Sequence, residues 1–264
     1  MKKLLILCLV IVPFLASCKK DKGDPPVLPP LKSMTIDFSN FMIASKSDVS
    51  KSSKGENNAS WEFAAKTSKL WIDIINVLYV PVSGFQGTID QNPGFVTEKT
   101  WEWKYSTTEY DTRLKGYIGA TEVEWELYIS KKTGTNTFSD FLWIEGTSAF
   151  DGKSGQWTIN ESNSSASALI TIDWEDLEGS IEKVTYTYVK NDVHKDDKIE
   201  YGHVTSGSYN AYIKNQYYDA NDEKDYTVDI EWNTTEKNGR VKSAQWIGPE
   251  WYCWNSNKIN VTCD

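Results

Sequence analysis

Histidine, a frequent catalytic base and metal ligand, occurs only twice in this chain, at His194 and His203. Methionine occurs three times and leucine is sparse. There is no Gly-x-Ser-x-Gly elbow, no phosphate-binding loop and no His-Glu-x-x-His motif, which removes the commonest hydrolase, nucleotide and zinc-protease signatures. Beyond residue 14 no apolar run is long enough to cross a bilayer as a helix. Basic charge is also short: 28 Lys and Arg stand against 37 Asp and Glu, a formal net charge of −9. That acidity disfavours nucleic acid and any electrostatic grip on anionic headgroups.

What the chain does have is aromatic bulk, with 12 Trp and 14 Tyr in 264 residues. Aromatic and β-branched residues suit pleated surfaces, so the composition leans towards sheet. Trp101, Trp103 and Tyr105 alternate with Glu102 and Lys104. Val123, Trp125, Leu127 and Ile129 alternate with glutamates, and Tyr226, Val228, Ile230 and Trp232 with Thr227, Asp229 and Glu231. Period two of this kind marks antiparallel strands with one buried and one wet face. Further strands are predicted near Leu114, Trp143, Trp157, Ile172, Tyr186, Tyr201, Tyr212 and Val241, and Met34–Phe41 reads as a first strand. Turns fall at Thr133-Gly134, Asp151-Gly152, Glu178-Gly179, Ser206-Gly207 and Asn238-Gly239. The tripeptide [Val/Ile]-[Asp/Glu]-Trp ends at Trp125, Trp174 and Trp232, at unequal intervals that exclude a propeller or solenoid.

One helix interrupts the pattern. From Ser60 to Tyr79 the residues Trp71, Ile74, Ile75 and Leu78 keep helical spacing, and Pro81 and Gly84 are expected to close it. The fold class expected is therefore mainly β: an antiparallel up-and-down meander of about ten strands. It forms a strongly curved sheet, half-barrel or barrel, with the helix of about 60–79 packed on or in its concave face.

The N-terminus carries an address. Met1-Lys2-Lys3 precedes the apolar run Leu4–Phe14 and then Leu15-Ala16-Ser17-Cys18. A charged start, a short apolar run and small residues read as an export signal over 1–17. The four residues ending in Cys18 resemble the lipobox of bacterial lipoproteins. That resemblance implies cleavage before Cys18 and acylation of its thiol, anchoring the chain to a membrane. The Lys-Lys-Asp-Lys run that follows is similar to the charged segment after the cysteine in surface lipoproteins of the Bacteroidota. It implies outer-membrane anchoring, with exposure on the cell surface as one reading and a solvated tether facing the periplasm as the alternative. Residues 18–33, with four prolines and no aromatic residue, read as an extended tether outside the core, leaving 34–264 as a single β-rich domain. The layout of aromatic helix, Trp-x-Trp, Val-Glu-Trp, the Gly155-Gln156-Trp157 turn and terminal Trp-Tyr-Cys-Trp resembles an uncharacterised Bacteroidota lipoprotein family, which implies no activity.

Candidate chemistry is thin. Cys8 falls in the signal, so Cys253 and Cys263 are left as a pair near the C-terminus. They read as a disulfide in an oxidising compartment, with a metal pair or two free thiols as the alternatives. His194 and His203 around Asp196 and Asp197 suggest a metal set, but two surface histidines on a hairpin fit the segment better. Asp219, Asn221, Glu223 and Asp225 lack the glycine and terminal acid of a calcium loop, and a polar turn is expected. Carboxylates such as Glu124, Glu126, Asp173, Glu175 and Glu231 are too abundant to single out a glycosidase pair. Trp246, Trp251 and Trp254 are the rings to inspect for sugar stacking; core packing is the competing role. No cofactor is expected. The expectation is a lipid-anchored structural or binding module, with a glycan-binding accessory and a carrier of hydrophobic ligands as alternatives. Its partners are then the membrane, through the anchor, and a glycan or protein.

Overall fold

The computed structural model describes residues 22–41, 58–176, 181–204, 207–244 and 248–263. The signal, Cys8, Cys18, the Glu178-Gly179 turn and Trp246 lie outside them.

Fourteen strands form one antiparallel sheet in which every strand pairs with its neighbours in sequence. They are β1 (Gly94–Thr97), β2 (Thr100–Ser106), β3 (Tyr110–Ile118), β4 (Val123–Lys131), β5 (Phe138–Ser148), β6 (Ser154–Ser162) and β7 (Ser165–Asp176). Then follow β8 (Ile181–Tyr188), β9 (Lys198–His203), β10 (Ala211–Asp219), β11 (Lys224–Trp232), β12 (Gly239–Ser243), β13 (Gly248–Trp254) and β14 (Asn260–Val261). β1 and β14 end the order without pairing, so the sheet does not close into a barrel. The meander is longer than the alternation alone indicates. β1, β13 and β14 are short or interrupted by glycine, proline and asparagine, which dilutes the period-two signal.

Alternation decides the two faces. Val123, Trp125, Leu127 and Ile129 are buried while Glu124 and Glu126 are exposed, and Val228, Ile230 and Trp232 repeat the arrangement on β11. In each of the three tripeptides the apolar residue and the tryptophan point inward and the acid between them outward. The eight further strand positions predicted from sequence all fall in strands.

The inner face carries a regular device. Gly116 on β3 lies opposite Trp101 and Trp125, Gly146 on β5 opposite Trp125 and Trp157, and Gly155 on β6 opposite Trp174. Gly239 on β12 lies opposite Trp232 and Trp254. A Cβ at Gly116 would sit 2.6 Å from Cζ3 of Trp125, and one at Gly146 2.5 Å from Cε3 of Trp157. At Gly155 and Gly239 it would meet the rings of Trp174 and Trp254. Each glycine makes room for an indole that folds across the neighbouring strand, and at Gly146, Gly155 and Gly239 a backbone carbonyl of the adjacent strand crowds the same space. Two expectations are corrected here. Gly155-Gln156-Trp157 is not a turn but the start of β6, and Gly239 is the first residue of β12 rather than the residue that makes the bend. Lys237, at φ 65°, takes the left-handed conformation in that turn.

The helix differs from expectation too. Two joined helices run from 59 to 89, α1 (Ala59–Val77) and α2 (Tyr79–Ile89). Pro81 does not stop the helix. It sits in the first turn of α2, where a missing N–H has no intrahelical acceptor to lose. Gly84 lets α2 approach Thr112 of β3 and Ile129 of β4. α2 packs against β2–β4 and α1 against β12–β14. Trp71 of α1 is fully buried and donates from Nε1 to Asn215 Oδ1 of β10 at 2.8 Å.

Residues 26–41 cross the sheet instead of hanging free. Pro26 packs near Gly116, and Val27 and Leu28 lie at the β5–β6 turn. Ser33 Oγ accepts from Nε1 of Trp157 at 2.9 Å, and Phe41 stands edge-on to Trp232 at 4.9 Å. The tether predicted to run to Ser33 is therefore docked from Pro26 onward, with Pro26 and Pro29 buried and Leu28 and Leu31 packed against the core. Met34–Phe41 buries Met34, Ile36, Phe38 and Phe41, as its alternation implies, but pairs with no strand. It is bracketed by 3-10 turns at Leu31–Met34 and Ser39–Phe41.

Gly87 offers a test of helix-on-sheet packing, since a Cβ there would enter the ring of Tyr105 on β2. In an open helix Gly→Ala stabilises by about 1 kcal/mol. Gly87→Ala is expected to reverse that sign and destabilise by about 1–3 kcal/mol, read as a lower urea midpoint at unchanged m-value.

Candidate functional site

With the inner face filled by side chains, aromatic rings among charges are found on the outer face, at Tyr128 between Arg113 and Lys115 on β3–β4 and more extensively over β9–β13. Two lateral rows cross the latter region. In the first, Lys214 on β10 lies between Glu200 on β9 and Asp229 on β11, and Asp229 pairs with Lys242 on β12 at 3.1 Å. Lys214 reaches Glu200 at 3.6 Å. In the second, Glu231 of β11 binds Arg240 of β12 twice, at 2.8 Å to Nε and 2.6 Å to Nη2. Tyr212 of β10 donates its hydroxyl to Glu200 at 3.0 Å.

Trp251 on β13 closes both rows. The Arg240 guanidinium stands 4.2 Å and the Lys242 ammonium 4.8 Å from its ring centroid. Arg240 also lies 5.0 Å from the Tyr209 ring. Cations on an aromatic face contribute about 0.5–1 kcal/mol each where solvent reaches them. They hold the indole against the sheet. Trp251 is half-buried, so part of the ring stays open to solvent.

One cleft is walled by this ring and a second opens at Arg240. The first, of about 390 Å³, is walled by Trp251, Tyr212, Val204, Lys214, Asp229 and Lys242. The second, of about 950 Å³, is lined by Tyr209, Arg240, Asn233, Glu236, Asn238 and the Cys253 end of β13. Amide, carboxylate and guanidinium groups beside an aromatic ring can hydrogen-bond hydroxyl groups while the ring takes up an apolar face.

The three tryptophans proposed from sequence separate. Trp251 faces outward in the wall of the first cleft. Trp254 is 1% exposed, and its ring covers Gly239 and donates to the Lys237 carbonyl at 3.1 Å, so it serves the core. Trp246 lies outside the described residues. Tyr209, Tyr212 and Arg240 were missed by sequence reasoning. Tyr212 and Arg240 face outward on β10 and β12 and Tyr209 lies just before β10, so their nearness to Trp251 needs the strand pairing to be known.

Cys253 and Cys263 are joined in a disulfide with Cα atoms 5.3 Å apart. The bridge ties the end of the chain to β13. Across it, Asn260 Oδ1 accepts from the backbone N–H of Ser60 in the first turn of α1 at 3.1 Å, and Lys258 stands 4.0 Å from the Trp61 ring. The last hairpin thus caps a helix 200 residues earlier.

The remaining candidates stand apart. His194 hydrogen-bonds Asp197 at 2.9 Å in the turn before β9, while His203 ends β9 and bonds Tyr201 at 3.0 Å. A six-residue strand between them puts the two imidazoles roughly 20 Å apart. Among the described residues no three His, Cys, Asp or Glu side chains group as metal ligands. Asp219 caps its own turn by accepting from Asn221 N and Asp222 N. Partial burial pushes Tyr188 up to about 12, helped by its hydrogen bond to Asp192. At the far side of the sheet, burial pushes Glu102 up but hydrogen bonds from Lys104 and Arg113 outweigh it and hold the carboxyl below its usual value.

No family model, curated protein or solved structure matches the chain.

The disulfide gives a direct prediction. Opening a ten-residue loop by Cys263→Ser removes about 3 kcal/mol of loop-closure entropy. Thermal unfolding is expected to fall by roughly 5–10 °C. An unchanged midpoint would show that the last hairpin contributes nothing to the domain.

Proposed function

We propose that the protein is a lipid-anchored outer-membrane protein, displayed at the cell surface, that binds a partner through the outer face around Trp251 and carries out no catalysis. The anchor is supported by Leu15-Ala16-Ser17-Cys18, which resembles a lipobox. The observation that carries the binding reading is Trp251 itself. It is an indole held in place on the wet face of the sheet, in the wall of a cleft, while Trp103, Trp125, Trp157, Trp232 and Trp254 are buried in the core.

A glycan is the ligand class that this face fits best. Sugar rings offer one apolar face to an indole and hydroxyl groups to Lys214, Asp229 and Lys242, which wall the same cleft as Trp251, and to Arg240 beside its ring. Carriage of a hydrophobic ligand has less support, because Trp71, Leu78, Phe85 and Trp103 fill the space between helices and sheet. None of the principal clefts among the described residues is lined by a helix residue.

A curled sheet with the helix pair on its concave side belongs to the same reading. From β14 to β2 a flat sheet would measure about 58 Å. Ser60 touches β14 and Gly87 touches β2, yet the helices between them are only about 40 Å long. Bending the sheet around the helices makes up the difference.

On a glycan array, Trp251→Ala is expected to weaken binding at least tenfold, the effect of removing a central aromatic contact, with the unfolding midpoint nearly unchanged. Glycan binding that persists at full strength in Trp251→Ala would remove this face from the account.

A further inference from the structure

We propose that the end of the sheet from which the N-terminal chain departs lies directly on the bilayer, with an apolar rim seated at headgroup level. This rests on the reading of Cys18 as the lipid site.

The first argument is length. If all of 18–33 were free, the domain could stand roughly 50 Å from its anchor. The chain is docked from Pro26, which is buried beside Gly116, while Lys22–Pro25 are exposed and the Lys22 ammonium lies 5.5 Å from the Phe95 ring of β1. Eight peptide steps separate Cys18 from Pro26, at most about 28 Å. That slack is shorter than the sheet is wide, so the domain cannot tumble freely above the surface. The edge near β1 is held within reach of the headgroups.

The second argument is what that edge displays. In an up-and-down meander alternate turns share one end of the sheet. The β1–β2, β3–β4 and β5–β6 turns therefore lie together with the N-terminal chain, which touches the last of them through Val27. At that end Val27 is 53% exposed, Val96 51%, Phe150 48% and Tyr117 42%. These four make up nearly half of the large apolar side chains exposed among the described residues. At the opposite end Val193 is exposed as well, in a Lys/Asp-rich turn. Aliphatic and aromatic side chains with a tyrosine are the chemistry of the membrane interface. The net charge of −9 argues against attraction to anionic lipid, so the contact is apolar rather than electrostatic.

The occupant is a phospholipid surface, and the test keeps the anchor and the contact separate. Full-length protein is purified in its membrane-derived form and reconstituted in phosphatidylcholine vesicles containing spin-labelled lipid. A fluorophore is placed at Phe150→Cys, at Val96→Cys or, at the opposite end, at Asn163→Cys. The labels at 150 and 96 are expected to be quenched at least twofold more than the label at 163. Equal quenching at all three sites, with the protein still vesicle-bound and Cys18 acylated by mass, would overturn the contact and leave the anchor standing. A Cys18 without acyl groups would overturn both.

Discussion

Neighbouring strands are only about 4.8 Å apart, and an indole on one of them must lie across the next. Rings can face each other, as Tyr217 and Tyr226 do at 5.9 Å, but an indole that lies flat across the next strand needs a small residue opposite it. This chain meets that need by setting glycine opposite tryptophan on the inner face, at Gly116, Gly146, Gly155 and Gly239. The rings then tile the sheet, Trp103 against Trp125 at 5.8 Å and Trp157 stacked on Trp174 at 5.1 Å. The glycines give up β propensity, and the burial of each indole outweighs that loss by a wide margin.

From that packing the other parts follow. A floor of tryptophans needs a cover, and no single element supplies it. The helix pair covers one part, and residues 26–41 cover a row from Gly116 to Trp232. The last hairpin, fastened by Cys253–Cys263, secures the start of α1. Several indole N–H groups find acceptors in these covering or neighbouring segments, Trp157 in Ser33, Trp71 in Asn215 and Trp61 in the Asn40 carbonyl at 3.3 Å. Polar satisfaction and apolar burial therefore fix the same arrangement. Because the inside is committed to packing, recognition is left to the outside, where Trp251 is steadied by Arg240 and Lys242.

Much of this was legible beforehand. Period two on β4 and β11 reveals which side chains point inward, because a pleated strand has no other way to separate Trp125 from Glu124. The disulfide was legible from two cysteines ten residues apart. Other features depend on partners distant in sequence. Pro81 reads as a helix stop until its place in the first turn of a second helix is known. The Pro-rich stretch reads as a spacer because its burial is supplied by tryptophans more than ninety residues later. Tyr209 and Arg240 had no local signature, since what joins them to Trp251 is strand order and register.

The pairing of ring and glycine is tested most directly by a double-mutant cycle at Gly116 and Trp125, where the three atoms nearest the added methyl belong to the indole and to Pro26. In the native background Gly116→Ala is expected to destabilise by about 1–3 kcal/mol. Combined with Trp125→Leu, the same substitution should cost close to nothing, because the ring that excludes the methyl is gone. An equal penalty in both backgrounds would mean that glycine is required at 116 for some other reason, and the central claim would fail.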